Sequence, residues 1–285
     1  MQIIRVRLIN SNGKRKISSI PDEIEEKISS IPDEIEEKGC EEAPVKILDA
    51  LKNIGSNEKG KIIEFDKLNL EEIHVDLDNI EEANYLIFEN SKEIFEKNFK
   101  AFFLGGDHSI SYPIVKAFNK IEEHALLIVF DAHADCMKPG KEPTNREWLR
   151  KLIEEGFNPE NIILISARNL LEEEIEFLNK NKITIIKMDL LMEDLDGICD
   201  LIMERARLSS GFYISIDTDC VDPAFAPGTG CLEPGGLSSR DLIYFIKRLS
   251  LLQNFRGGDI VEINPSKDIN GMTIKLGAKL LAEMI

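Results

Sequence analysis

The chain has 285 residues, 43% of them hydrophobic, with 52 acidic against 35 basic side chains for a formal net charge of −17. That balance excludes nucleic acid as a partner, since phosphate binding needs clustered cations; it makes a solvated acidic surface and is compatible with a small cationic substrate. Five cysteines without a CxxC pair exclude a disulfide framework, and no apolar run approaches the ~18 residues of a membrane span, so a soluble cytoplasmic protein is expected.

In chain order, residues 1–9 alternate like a strand and lack the uninterrupted apolar core of a signal peptide. Residues 17–27 then recur identically at 28–38. One short tandem copy does not make a repeat architecture, whose units run to ~20 residues or more. Ser, Pro and two acids ahead of an isoleucine read as a helix start. The segment is therefore taken as a local duplication on the surface, the alternative being a partner-binding helical insert.

From residue 61 onward, short apolar runs alternate with amphipathic periods. Strands are expected at 62–65, 101–104, 126–130, 162–165, 183–186, 212–216 and 259–263, and helices near 79–97, 109–121, 145–155, 170–180, 195–208, 238–251 and 271–284. Short all-apolar strands between helices indicate an α/β fold of three layers, α-β-α, around a mainly parallel central sheet. Length alone favours two domains at ~150 residues each, but the unbroken alternation argues for one domain over 1–285.

In such sheets ligands bind beyond the carboxyl ends of the strands. The polar constellations sit at such ends: Gly105-Gly106-Asp107-His108, Asp131-Ala132-His133-Ala134-Asp135, Asp217-Thr218-Asp219, and Glu262 through Pro265. Alternation on an extended chain keeps residues i, i+2 and i+4 on one side, so Asp131, His133, Asp135, Asp217 and Asp219 converge. Gathered carboxylates leaving buried strands repel one another unless cations lie between them. A two-metal hydrolytic centre is the simplest reading.

These segments, with Ser109, Cys220-Val221-Asp222-Pro223 and Phe225 to Gly230, closely resemble the signatures of the ureohydrolases, which comprise arginase, agmatinase and related amidinohydrolases. The resemblance runs from about residue 100 to the end and is poor before it. It implies an arginase-like fold and a binuclear site, with His108, Asp131, Asp135 and Asp217 on one metal and Asp131, His133, Asp217 and Asp219 on the other. Asp131 and Asp217 would bridge two Mn²⁺, a choice that suits carboxylate and imidazole donors, and the shared water would become hydroxide near neutral pH. Asp107 is expected to orient His108 from behind, Glu262 to hold the guanidinium, and Asp135 to move the proton to the leaving nitrogen.

On this resemblance the expected reaction is agmatine to putrescine plus urea, a step of polyamine biosynthesis. The asparagine that arginases carry soon after the second metal motif is missing, since Asp135 is followed by Cys136-Met137-Lys138. Arginine or another guanidino acid is the alternative, with Lys138 available to a carboxylate; a non-catalytic metal-binding member is the second. A zinc deacetylase on the same scaffold would need a catalytic histidine pair that is absent. The family's loop histidine is also missing, and Asn145 falls at or near its place as a substrate contact. Cys136 and Cys220, each following a metal aspartate, and Cys231, which ends the Gly-Thr-Gly loop, are expected to crowd the pocket, either as small buried hydrophobes or as thiols that raise Fe²⁺ as an alternative ion. Family members assemble as trimers or hexamers, so a homo-oligomer is expected.

Overall fold

The structure, a computed structural model, describes residues 2–8 and 39–285; the helix expected within 17–38 lies outside the described residues. Strands β1 (Gln2–Val6), β2 (Asn69–Ile73), β3 (Ala101–Leu104), β4 (Ala125–Phe130), β5 (Ile162–Ile165), β6 (Thr184–Ile186), β7 (Gly211–Asp217) and β8 (Phe255–Val261) join one sheet. Its order is β2-β1-β3-β8-β7-β4-β5-β6, and every pair is parallel. The helices are α1 (Ala43–Leu51), α2 (Ile80–Lys97), α3 (Ser111–Ile121), α4 (Trp148–Glu154), α5 (Glu172–Lys180), α6 (Met188–Glu193), α7 (Leu195–Leu208), α8 (Ser239–Leu249) and α9 (Met272–Met284).

Side-chain alternation along the central strands builds the three expected layers. On β4, Leu126, Ile128 and Phe130 face one apolar cluster, to which α1 and α6 to α9 contribute; Ala125, Leu127 and Val129 face the other, shared with α2 to α5. Both faces of the sheet are thus covered, which is why its inner strands read as continuous apolar runs. Full burial of a phenylalanine such as Phe130 or Phe212 contributes roughly 2–3 kcal/mol. Among the described residues, no helix is long and apolar enough to cross a membrane.

Two expectations change. Residues 62–65 are not a strand: Ile62 is 65% exposed and makes a lone antiparallel bridge to Ser56, and Phe65 opens a 3-10 turn. The strand of this region is β2, at the sheet edge, where Glu72 pairs in register with Arg5 and meets its guanidinium at 2.7 Å. Strand β8 begins at Phe255 and not at Asp259. The Gly257-Gly258 pair looks like a break, yet it belongs to the strand. A Cβ on Gly257, which has φ +136°, would lie 1.7 Å from the Ala101 carbonyl oxygen of β3, so only glycine lets the two strands close.

Candidate metal centre

The four innermost strands, β3, β8, β7 and β4, end side by side, and each releases polar residues at its carboxyl end. After β3 the chain passes under the end of β1, where a Cβ on Gly106 would lie 2.0 Å from the Leu8 carbonyl oxygen. Asp107 then caps the 3-10 turn His108–Ile110 by accepting the Ser109 N–H at 3.0 Å. It positions the turn that carries His108.

The aspartates follow a common pattern. Asp131 Oδ1 accepts the His133 N–H at 2.7 Å, Asp217 Oδ1 the Asp219 N–H at 2.8 Å, and Asp219 Oδ1 the Ala132 N–H at 3.0 Å. Each spends one oxygen on the backbone and turns the other toward an imidazole. His108 Nδ1 lies 3.1 Å from Asp131 Oδ2, 3.0 Å from Asp135 Oδ2 and 3.3 Å from Asp217 Oδ2. His133 Nδ1 lies 2.9 Å from Asp219 Oδ2 and 3.6 Å from Asp131 Oδ1. Asp131 therefore offers one oxygen to each histidine, and His108/Asp131/Asp135 and Asp131/His133/Asp219 form two clusters able to hold a cation.

The chemistry of His108 tests whether a metal fits. Ser215 Oγ donates to Asp259 Oδ1 at 2.6 Å, so it accepts from His108 Nε2 at 2.9 Å. Nε2 then carries the ring proton and Nδ1 presents a lone pair to three carboxylates. His108 Nδ1 and Asp131 Oδ2 are buried without a hydrogen-bond partner. Such an arrangement requires a positive charge between its atoms. Octahedral bonds of roughly 2.1 Å put neighbouring donors about 3 Å apart, the spacing seen here, so the residues fit a divalent ion.

The same crowding of carboxylates raises the proton affinity of the ring nitrogens. Burial pulls the His108 imidazolium down, but Asp131, Asp135 and Asp217 outweigh it and hold the ring well above its usual range. His133 is likewise raised, against its burial, by Asp131 and Asp219. Burial, followed by the charge of Asp131, pushes the Asp135 carboxyl up to about 7.

A cavity of about 230 Å³ opens beside these groups, and His133, Asp135, Asn145, Asp217, Asp219 and Glu262 are in its wall. Glu262 Oε1 accepts the His108 N–H at 2.7 Å, and the Asn145 Nδ2 lies 3.5 Å from the same oxygen. Asp135 and Glu262 both adopt positive φ, at 51° and 63°. Backbone strain of about 1 kcal/mol or more at such positions is typical of functional residues.

Of the three cysteines expected to crowd the pocket, Cys136 and Cys220 follow the reading as small hydrophobes. Both are fully buried in the two apolar clusters and do not line the cavity, and burial pushes both thiols up. The cysteine in the cavity wall is Cys231, with Sγ 3.7 Å from His133 Nε2.

Several residues of the site were not anticipated. Asp259, on central strand β8, gathers Ser111, Tyr213 and Ser215 hydroxyls at 2.9, 3.0 and 2.6 Å; an acid inside a buried strand was the available signal. Trp148, the only tryptophan, donates Nε1–H to Asp135 Oδ2 at 2.8 Å and packs on the His108 ring at 4.6 Å between centroids. Glu233 Oε1 lies 3.3 Å from His133 Nε2 and accepts from Asn169 at 2.6 Å. It can orient His133 by its far nitrogen, a support whose loss typically costs ~10–100-fold in metal affinity. Glu233→Gln should weaken metal binding by that factor in equilibrium dialysis, and unchanged affinity would remove Glu233 from the site.

Comparison with known proteins agrees with this geometry. A model of the arginase family matches residues 30–285. Arginase 1, mitochondrial, of Oryza sativa subsp. indica is 33% identical over 208 residues, 70% of this chain and 58% of the rice protein. The agmatinase of Bacillus subtilis is 31% identical over 202 residues, 70% of this chain and 68% of its own length. The crystal structure of formimidoylglutamase from Bacillus subtilis superposes with a TM-score of 0.85, covering 99% of this chain and 85% of that one at 24% identity, a likeness of fold. The match thus spans less than two thirds of the plant arginase. With the sheet, the converging donors and a family match over most of its length, the chain belongs to the arginase family.

Proposed function

We propose that the chain is a metal-dependent amidinohydrolase that breaks a C–N bond of a guanidino group to release urea and an amine. The observation that carries the reading is the facing pair of orphaned buried atoms, His108 Nδ1 and Asp131 Oδ2, within a ring of carboxylates. His108, Asp131, Asp135 and Asp217 would hold one cation, and Asp131, His133, Asp217 and Asp219 the second. Two Mn²⁺ suit this oxygen and imidazole set, with Fe²⁺ the alternative; when bound, the pair supplies an acidified water near neutral pH. Cys136 and Cys220 lie in the core, which leaves Cys231, 3.7 Å from His133 Nε2, as the one thiol that favours a softer ion.

The remaining roles belong to side chains of the cavity. Glu262 accepts N–H groups of the planar guanidinium, a match that carboxylates make in bidentate fashion. Asp135 takes the proton released by the nucleophile and passes it to the leaving nitrogen. Trp148 Nε1–H on Asp135 Oδ2 fixes that carboxylate for the task. Asn145 has no proton to shuttle, and its amide beside Glu262 serves orientation.

Agmatine, giving putrescine, is the substrate suggested by the missing arginase-type asparagine. Relatives carrying the names agmatinase and arginase are about equally similar, so the expectation of agmatine holds only where no other cation awaits the substrate's far end. A homo-oligomer remains part of the proposal. Urea release from guanidino compounds by metal-loaded protein tests the reading. Release that depends on metal supports it, and silence across agmatine, arginine and guanidino acids leaves an inert metal-binding relative.

A further inference from the structure

We propose that Arg146 forms an anion subsite in the cavity wall, and that the substrate carries a carboxylate at the end opposite its guanidino group. The proposal rests on the amidinohydrolase reading and turns the expectation of agmatine around.

Arg146 lines the same cavity as Asp135, Asp217, Asp219 and Glu262. Its backbone is held on both sides: its N–H donates to Thr144 Oγ1 at 3.3 Å, and its carbonyl accepts the Met137 N–H at 3.1 Å. Thr144 is in turn bound through its N–H to Glu147 at 2.8 Å, just before α4 and Trp148. The guanidinium, in contrast, makes no ion pair or hydrogen bond among the described residues. Every other described arginine makes at least one through its guanidinium. One helical turn on, Arg150 bonds both Glu154 and Glu173, and Arg168 is spent on backbone carbonyls.

The other charged groups in the wall are already assigned. Asp135, Asp217, Asp219 and His133 belong to the cation set, and Glu262 to the guanidino head. Glu174 accepts the Cys136 N–H on one oxygen at 3.1 Å and the Leu171 N–H on the other at 3.0 Å. Once the aspartates face their cations, Arg146 is the positive charge left for the rest of the substrate. A guanidinium presents a planar fork that matches a carboxylate. An ammonium in that place, as in agmatine, meets a like charge in a partly enclosed cavity, where repulsion is weakly screened.

The test compares agmatine with δ-guanidinovalerate, which share the head group and methylene chain and differ in terminal charge. Metal-loaded protein is assayed for urea release and, separately, for binding by calorimetry. The expected preference is for the acid, by ~10–100-fold in kcat/KM, the worth of a charge-assisted hydrogen-bonded pair. Arg146→Gln should lower binding and turnover of the acid by that factor and raise kcat/KM for agmatine, and Arg146→Lys should keep part of the preference. A structural role would lower both substrates alike, and that result overturns the proposal, as does a wild-type preference for agmatine or failure to bind the acid. Arg146-dependent binding of the acid without urea release leaves the subsite standing and refutes the amidinohydrolase reading instead.

Discussion

Asp131→Asn should strip the protein of its cations. Among the described residues, Asp131 is the one carboxylate with an oxygen toward both His108 and His133, 3.1 Å from His108 Nδ1 and 3.6 Å from His133 Nδ1. The amide keeps the shape, and its oxygen can still accept the His133 N–H, but it removes the charge shared by both cation positions. Loss of a supporting residue outside the donor set costs ~10–100-fold in metal affinity. Loss of one of the two shared donors, Asp131 and Asp217, should cost more, ~10³-fold, and urea release should fall at least as far. Metal content of the dialysed variant, read by atomic emission against wild type, checks this. A variant that retains full occupancy would dismantle the shared-carboxylate arrangement.

Glu262→Gln should act on turnover and leave metal content alone. Glu262 is 5% exposed and held at φ 63°, and its Oε1 accepts the His108 N–H at 2.7 Å. Glutamine can still accept that N–H, so the turn bearing His108 keeps its place. What disappears is the negative charge facing the guanidinium. Charge-assisted hydrogen bonds contribute about 1.5–3 kcal/mol each, so losing this interaction lowers kcat/KM by ~10–100-fold. Steady-state kinetics at saturating metal measure it. A loss under tenfold would assign the guanidinium to another partner.

Much of this centre was legible because chemistry and fold logic coincide in it. Asp131, His133, Asp135, Asp217 and Asp219 follow apolar runs that could only be inner strands, and strand alternation then sends them to one place. What escaped notice depends on contacts across the chain. Glu233 reaches His133 from a hundred residues away, and the loop carrying it has no periodicity to read. The strand expected from residue 259 begins at Phe255, and the glycine pair Gly257-Gly258 lies within it. The need for glycine appears only when Ala101 of β3 is seen against it.

Edge and surface elements were lost for a different reason. β2 reads Asn-Leu-Glu-Glu-Ile, with little apolar signal because an edge strand has a neighbour on one side only. Ile62 and Ile63 supplied the apolar pair that was mistaken for it, yet Ile62 is largely exposed. Cys136 and Cys220 directly follow Asp135 and Asp219 in sequence. Immediate neighbours of inward-facing residues point to the opposite side, and both thiols accordingly lie in the core. Cys231, two residues before Glu233 and expected near the pocket from its place in the Gly-Thr-Gly loop, is the thiol in the cavity wall.

The central claim is tested most directly by removing the metal and restoring it while following urea release from guanidino substrates, with δ-guanidinovalerate, arginine and agmatine in the panel. The account predicts no urea from chelator-treated protein, and recovery on adding Mn²⁺ or Fe²⁺ that saturates at two equivalents per chain. Urea release unaffected by stripping, or a chain that binds two ions and cleaves none of the panel, would contradict it.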